Sequence, residues 1–437
     1  LAVASVLLLF VIAVSLHSRL YESRPDARHL TLFYLVMSIG GALGGAFTAI
    51  VAPVLFDWVW EHPMLVFAAA LVMPLPELLK WRRLDGLDPR MAQLAGGVML
   101  ALVAFLAWLL VSLTADGEQG APQVFVTMML CGLGIMVMSW RWMFAAVLLL
   151  TMLGQGGLET LNKSIEQSRI RSYFGIYTVR DYQSAKLRTL AHGTTLHGQQ
   201  SLDPARTCEP MTYYGPNSGV GIALREASSM YGGNARIGVV GLGTGTLASY
   251  RKRGQQWTFF EIDPAVLELS RDGTFTYLRD CAPDAKVALG DARLELEKVP
   301  PHSLDVLAID AFSSDAIPLH LITDEAMGVY MRALSEDGLL VIHISNRFID
   351  LEPVMAAAAK RRGLALAMRI DNPPNRTDLT PSAWVALARD GDRLKALAKA
   401  HPDLAWEPLE HPAPNAWTDD FASILPYIRW DKLLGKP

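Results

Sequence analysis

"RIGVVGLGTGTLASY", Arg236–Tyr250, decides the fold of the larger part of this chain. The apolar run Ile237–Gly241 reads as a strand, and Gly241, Gly243 and Gly245 fall at its end. Glycines at such a turn let the backbone approach a ligand closely, and the helix expected over Thr246–Arg253 aims free N–H groups at it. Twenty residues past Gly241, "WTFFEIDP" places Glu261 at the end of the next strand. A carboxylate there accepts both hydroxyls of a ribose. "LGDARLEL" adds Asp291, with Ala292 beside it, at the end of the third strand, where an adenine amino group would be met. A dinucleotide uses the first two features and does not call for the third; an S-adenosyl nucleoside uses all three.

Outward from this turn the pattern alternates regularly. Strands are expected at Trp257–Ile262, Lys286–Leu289, Leu304–Asp310, Gly338–Ser345, Ala365–Ile370 and Trp384–Arg389. Helices are expected at Pro264–Asp272, Thr323–Leu334 and Met355–Arg362. Such alternation implies a mainly parallel, doubly wound, Rossmann-like sheet that takes ligands at the carboxyl ends of its strands. Before the turn, "YFGIYTVRDY" and "AKLRTLAHGTTLHG" read as a small β-hairpin-rich subdomain, and "NSGVGIALREASSMYG" as a helix ending at Gly232-Gly233.

The first third differs. The 437 residues are 51% hydrophobic, but long, nearly charge-free runs are confined to the part before about Gly156. A bilayer core of roughly 30 Å needs about 20 apolar residues per helix. Expected spans are Leu1–Leu16, Leu30–Val51, Pro63–Leu79, Met91–Leu113, Pro122–Ser139 and a short sixth, Met143–Gly156. The first run lacks a basic start and a small-residue cleavage site and reads as a span rather than a signal peptide. The architecture expected is therefore an α-helical transmembrane bundle over 1–156, a linker and β-rich subdomain over 157–232, and an α/β nucleoside-binding domain over 233–437.

Arg19, Arg24 and Arg28 lie in the first loop, and Lys80, Arg82, Arg83 and Arg90 in the third. The second and fourth carry Asp57, Glu61, Asp116 and Glu118 without Lys or Arg. The positive-inside rule puts loops one and three in the cytoplasm. A fully crossing sixth segment then sends the soluble part outside, whereas supply of a nucleoside favours the cytoplasm, which is the placement expected here. "SIGGALGGAF" holds Gly40/Gly44 and Gly41/Gly45, small-residue pairs expected to pack within the bundle. Pro74, Pro76 and Glu77 are expected to mark a kink and the interface, and no span carries a charge pair of an ion pathway. The net charge of −4, without a Lys/Arg run, gives no reason to expect nucleic acid. The three cysteines make no disulfide framework; Cys131 reads as a packing residue, and Cys208 and Cys281 as isolated.

Gly241–Gly245, "FFEIDP", "GDARL" and "LDVLAIDAFSSDAIP" together resemble the polyamine aminopropyltransferases, the spermidine synthase family, over about 174–347. Val239 stands where most methyltransferases of this fold carry an acidic residue, as in spermidine synthases. The apolar third resembles the bacterial integral-membrane branch in which such a domain is fused to a helical bundle, as do "HGTTLHGQQ", "TYYGPNSGVG", "HISNRFIDL" and "WTDDFASIL". The resemblance implies a multi-pass inner-membrane protein using decarboxylated S-adenosylmethionine, or S-adenosylmethionine, and a small amine. It further implies a possible homodimer, with the lipid bilayer as a partner. Asp310 would be the catalytic base and Asp315 a second, amine-holding carboxylate. Tyr213, Tyr214, His197, Gln199 and His343 would face the substrate. Gly241, Gly243, Gly245, Glu261, Asp291 and Ala292 would hold the nucleoside.

The family spaces its two aspartates three apart; here Asp310 and Asp315 are five apart, and "HGTTLHGQQ" replaces the family's Gln-containing loop. His192 and His197 find no third ligand at metal-site spacing, so no metal is expected. Another S-adenosylmethionine-dependent reaction, lyase or methyl transfer, is the alternative, and a polyamine transporter or sensor without catalysis is a third.

Overall fold

A computed structural model describes residues 2–73, 89–114, 120–166, 168–193, 195–312, 317–374, 378–409 and 411–433. Two compact units divide at Arg171/Ser172.

The first unit is helical. Ala2–Glu22, Leu30–Ala46, Glu61–Val72, Pro89–Thr114, Ala121–Met136 and Arg141–Met152 are its main helices. Among the described residues, three helical stretches, Ala27–Leu55, Gln93–Leu113 and Arg141–Ile165, are long and apolar enough to cross a membrane. The last corrects the short sixth segment of the sequence reading: helix continues past Gly156, through a kink at Gln155 and Gly156, for 25 residues. Leu106, Leu110, Val126, Leu130 and Val147 pack into a small interior, while outward apolar residues such as Val98, Phe105 and Phe125 remain exposed. The Gly40/Gly44 and Gly41/Gly45 face is a second correction. A Cβ built at any of the four meets nothing within 4 Å, so among the described residues nothing packs closely on this smooth face. Pro74, Pro76, Glu77 and the end of the third expected span lie outside the described residues. The unit closes with a short strand, β1 (Arg169–Arg171).

The second unit opens with β2 (Ile176–Tyr182), β3 (Leu187–His192) and β4 (Thr195–Ser201), an antiparallel meander. β5 (Arg236–Val240), β6 (Gln256–Glu261), β7 (Lys286–Leu289), β8 (Leu304–Ile309), β9 (Leu334–His343), β10 (Ala365–Asp371) and β11 (Ser382–Ala388) form one sheet. Its order is β10-β11-β9-β8-β5-β6-β7, and only β11 runs against the rest. All six residues of β8 are buried, as a central strand covered on both faces requires. Leu307 and Ile309 pack with Leu340 and Ile342 against Met327 and Tyr330 of the helix Asp324–Ala333. Each such side chain, wholly removed from water, contributes about 1.5–3 kcal/mol. The helix Gly219–Tyr231 is capped by the Ser218 hydroxyl and ends at Gly232. The strand order switches sides between β5 and β8, with β6 and β7 laid down on one side and β8 and β9 on the other, which makes the crevice at their carboxyl ends the place for a ligand.

The isolated cysteines of the sequence reading are also corrected. Cys208, beyond β4, and Cys281, at the end of the short helix Tyr277–Cys281, form a disulfide across 73 residues. Neither flanking segment carries a signal of the pairing, because the fold rather than local spacing brings the two together. Cys131 is a free thiol.

Candidate active site

The crevice holds a cavity of about 290 Å³. Its floor is the turn after β5, where Gly241, Gly243 and Gly245 all have positive φ (+91°, +53° and +85°). A Cβ on Gly241 would collide with the Asp310 carbonyl, so the close passage of these two loops requires glycine. The segment after the turn, Thr246–Tyr250, is a short 3₁₀ turn rather than the expected longer helix.

Glu261 ends β6 and is 7% exposed. Its two oxygens accept the N–H groups of Leu242 and Asp263, each at 2.9 Å. Burial pushes its carboxyl above the ordinary range despite those bonds. Each oxygen retains a lone pair, so two further donors, such as ribose hydroxyls, fit the group. Asp291 caps the helix Ala292–Lys298, Oδ1 accepting from Arg293 and Leu294, and its Oδ2 lies 3.1 Å from His320 Nε2. Glu261, Asp291, Ala292, Gly241 and Gly243 line the cavity. Gly245 stands behind it, against Tyr277.

Asp310 follows β8, anchored by its N–H to the Val240 carbonyl (2.9 Å). Both its carboxylate oxygens are held: Oδ2 accepts the Tyr214 hydroxyl, and Oδ1 lies 2.7 Å from His343 Nδ1. His343 Nε2 is 2.7 Å from Ser345 Oγ, which accepts the Ala383 N–H at 2.8 Å. The network assigns Nδ1–H to Asp310 and leaves Nε2 to accept the Ser345 hydroxyl. Aromatic rings fix the imidazole. Trp384 stacks at 4.4 Å and Tyr213 at 4.8 Å, and Phe312 meets it edge-on at 4.9 Å. Tyr213 and Tyr214 share a hydroxyl contact of 3.3 Å. Burial first, and the Asp310 charge second, raise both phenols well above their usual range, so they stay neutral donors.

The structure thus brings Asp310, Tyr213, Tyr214, His197 and His343 to one place, four of them lining the 290 Å³ cavity. His343 lines a smaller one of about 190 Å³ beside it, which His197 and Tyr213 share. Gln199 goes elsewhere: it is buried, with Nε2 on the Asp378 carbonyl (3.0 Å), and lines neither cavity. Asp315 lies outside the described residues. Sequence reading passed over Ser345, Trp384, Phe312, Tyr177 and His320. Only "HISNR" offered a signal, by placing Ser345 two residues past His343 on the same extended run. Among the described residues, no group of three His, Cys, Asp or Glu is placed to hold a metal ion.

No protein-family model and no curated protein matches the chain. Solved structures of similar fold include a probable spermidine synthase from Corynebacterium glutamicum (16% identity, 58% of this chain and 97% of that one, TM-score 0.45). The spermidine synthase from Thermotoga maritima is similar at 15% identity, over 61% of this chain and 86% of that one, with a TM-score of 0.38. A precorrin-6y C5,15-methyltransferase from Geobacter metallireducens is similar at 14%, over 40% and 89%, with a TM-score of 0.30.

Proposed function

We propose that the chain is a multi-pass bacterial inner-membrane transferase that takes an S-adenosyl nucleoside. Its reaction is then aminopropyl transfer of the spermidine synthase type, from decarboxylated S-adenosylmethionine to a small amine. The observation that carries this reading is the Asp310 carboxylate, which faces the glycine turn and Glu261 across one cavity with both oxygens oriented by buried donors. The amine nitrogen attacks the propyl carbon in line, and the C–S bond breaks with its electrons passing to sulfur, releasing 5′-methylthioadenosine. The proton lost by the nitrogen passes to the Asp310 carboxylate. Holding amine and carbon in line supplies much of the acceleration. Tyr214 and His343 orient Asp310; Glu261 accepts the ribose hydroxyls, and Asp291 the adenine amino group. Substrates remain proposals, as do a homodimer and contact with lipid.

The test is product analysis of the purified full chain given decarboxylated S-adenosylmethionine and putrescine. Methylthioadenosine together with an aminopropylated amine is the expected result. Methylthioadenosine alone, S-adenosylhomocysteine from intact S-adenosylmethionine, or no product at all overturns it.

A further inference from the structure

The side of the membrane on which the soluble unit works can be derived from residues outside the catalytic cleft. Arg171, the last residue of the first unit, donates to both oxygens of Glu61 at 2.9 and 2.7 Å and to the Trp58 carbonyl at 2.6 Å. The two side chains are 9% and 12% exposed. Arg169 lies over the Trp58 ring at 4.3 Å. A two-pronged guanidinium–carboxylate pair of this kind fixes position as well as charge. The end of the first unit is therefore on the same side as the loop carrying Asp57 and Glu61.

That loop is one of the two devoid of Lys and Arg. By the order of the spans in the sequence, Arg19, Arg24, Arg28, Lys80, Arg82, Arg83, Arg90 and Arg141 belong to the opposite side, eight against the three, Lys163, Arg169 and Arg171, at the end of the last helical stretch and beyond it. The bias in basic residues puts the eight in the cytoplasm. The last helical stretch, Arg141–Ile165, starts among them and has 25 residues. Before its kink at Gln155 and Gly156 it runs the length of the helix Pro89–Thr114, with Met143 beside Gly96 near one end of that helix and Gly154 beside Ala107 and Leu110 near the other. It crosses, and it ends where Arg171 meets Glu61.

The second unit supplies a separate observation, the Cys208–Cys281 disulfide. Such bonds persist in oxidising compartments and are rare where glutathione and thioredoxin keep thiols reduced. We infer that the soluble unit faces the extracytoplasmic, oxidising side, against the placement that nucleoside supply alone suggests. This inference does not depend on the proposed reaction. If that reaction holds as well, the enzyme draws on an extracytoplasmic pool, and its sulfonium nucleoside arrives by transport.

The full chain in bacterial spheroplasts tests the inference. Added protease is expected to digest the soluble unit without lysis. In acid-quenched, denatured, unreduced samples, a maleimide-polymer label is expected to add one mass step, for Cys131, and three after reduction. Protection of the soluble unit until the spheroplasts are lysed overturns the inference, and so do three mass steps before reduction. Neither readout uses activity, so the outcome is separable from that of the proposed chemistry.

Discussion

Asp310 Oδ1 and His343 Nδ1 lie 2.7 Å apart although 33 residues separate them in the chain. Parallel pairing of β8 with β9 creates the meeting, since both side chains sit at the carboxyl ends of neighbouring strands. The imidazole is 5% exposed, stacked between rings and not among the residues lining the 290 Å³ cavity, so its contact is with the carboxylate. In the proposed reaction His343 is then a positioning residue, and Asp310 the catalytic one.

Replacing His343 with Phe keeps the aromatic stack and removes the donor. The turnover number for methylthioadenosine release is expected to fall about 10²-fold with KM for the nucleoside nearly unchanged, while His343→Gln restores part of it. Asp310→Asn is expected to cost about 10²–10⁴-fold with nucleoside binding retained by calorimetry. An equal change in both parameters for His343→Phe would point to collapse of the cleft instead.

Gly241→Ala puts a methyl group against the Asp310 carbonyl at a φ of +91°. The left-handed backbone alone costs about 1–2 kcal/mol. Nucleoside affinity is expected to drop at least tenfold with a lower melting temperature, whereas Gly363→Ala, also at positive φ but meeting nothing within 4 Å, leaves affinity intact.

Glu261 has a folded-state pKa raised by burial, so its contribution to stability is present below the unfolded value and is lost as pH rises through the raised one. Ligand hydroxyls favour the charged form and act in the opposite sense. Nucleoside binding is expected to weaken as pH falls through the raised pKa. Glu261→Gln should bind more weakly at neutral pH and flatten this dependence. Calorimetric titration from about pH 8 down to about pH 4.5 reads both effects.

Cys208→Ser removes the bond that closes a long loop of chain. Loss of about 2–4 kcal/mol is expected, seen as a lower denaturation midpoint for the variant than for the oxidised protein. Reductant should bring the unaltered protein down to the variant's midpoint and leave the variant where it is. Equal midpoints without reductant would show that the bond is dispensable.

The half of the candidate site built on the glycine turn, Glu261 and Asp291 is legible in sequence because each element is local: a strand, then its terminal Gly, Glu or Asp. Asp310 follows the same grammar at the end of β8. The surroundings of His343 are not local. Trp384 reaches it because β11 pairs antiparallel with β9, setting Trp384 opposite His343, a register no short motif encodes. Gln199 misleads for the converse reason. Its strand was readable, but the Asp378 carbonyl that draws its side chain away lies 179 residues further on. In the first unit, the apolar run past Met143 looked too short because glycines at 154, 156 and 157 interrupt it, yet the helix bends and continues.

The small antiparallel sheet beside the cleft is tied down more than once. Beyond the disulfide, Gln200 exchanges bonds with Thr276 at 2.9 and 3.0 Å, and the Tyr277 hydroxyl reaches the Gln199 and Glu209 carbonyls at 3.1 and 2.8 Å. A flap fastened at so many points is expected to behave as a wall and not as a door. Amide exchange within β3 and β4 should accordingly stay slow with or without nucleoside, and rapid exchange there on release of ligand would sink the idea.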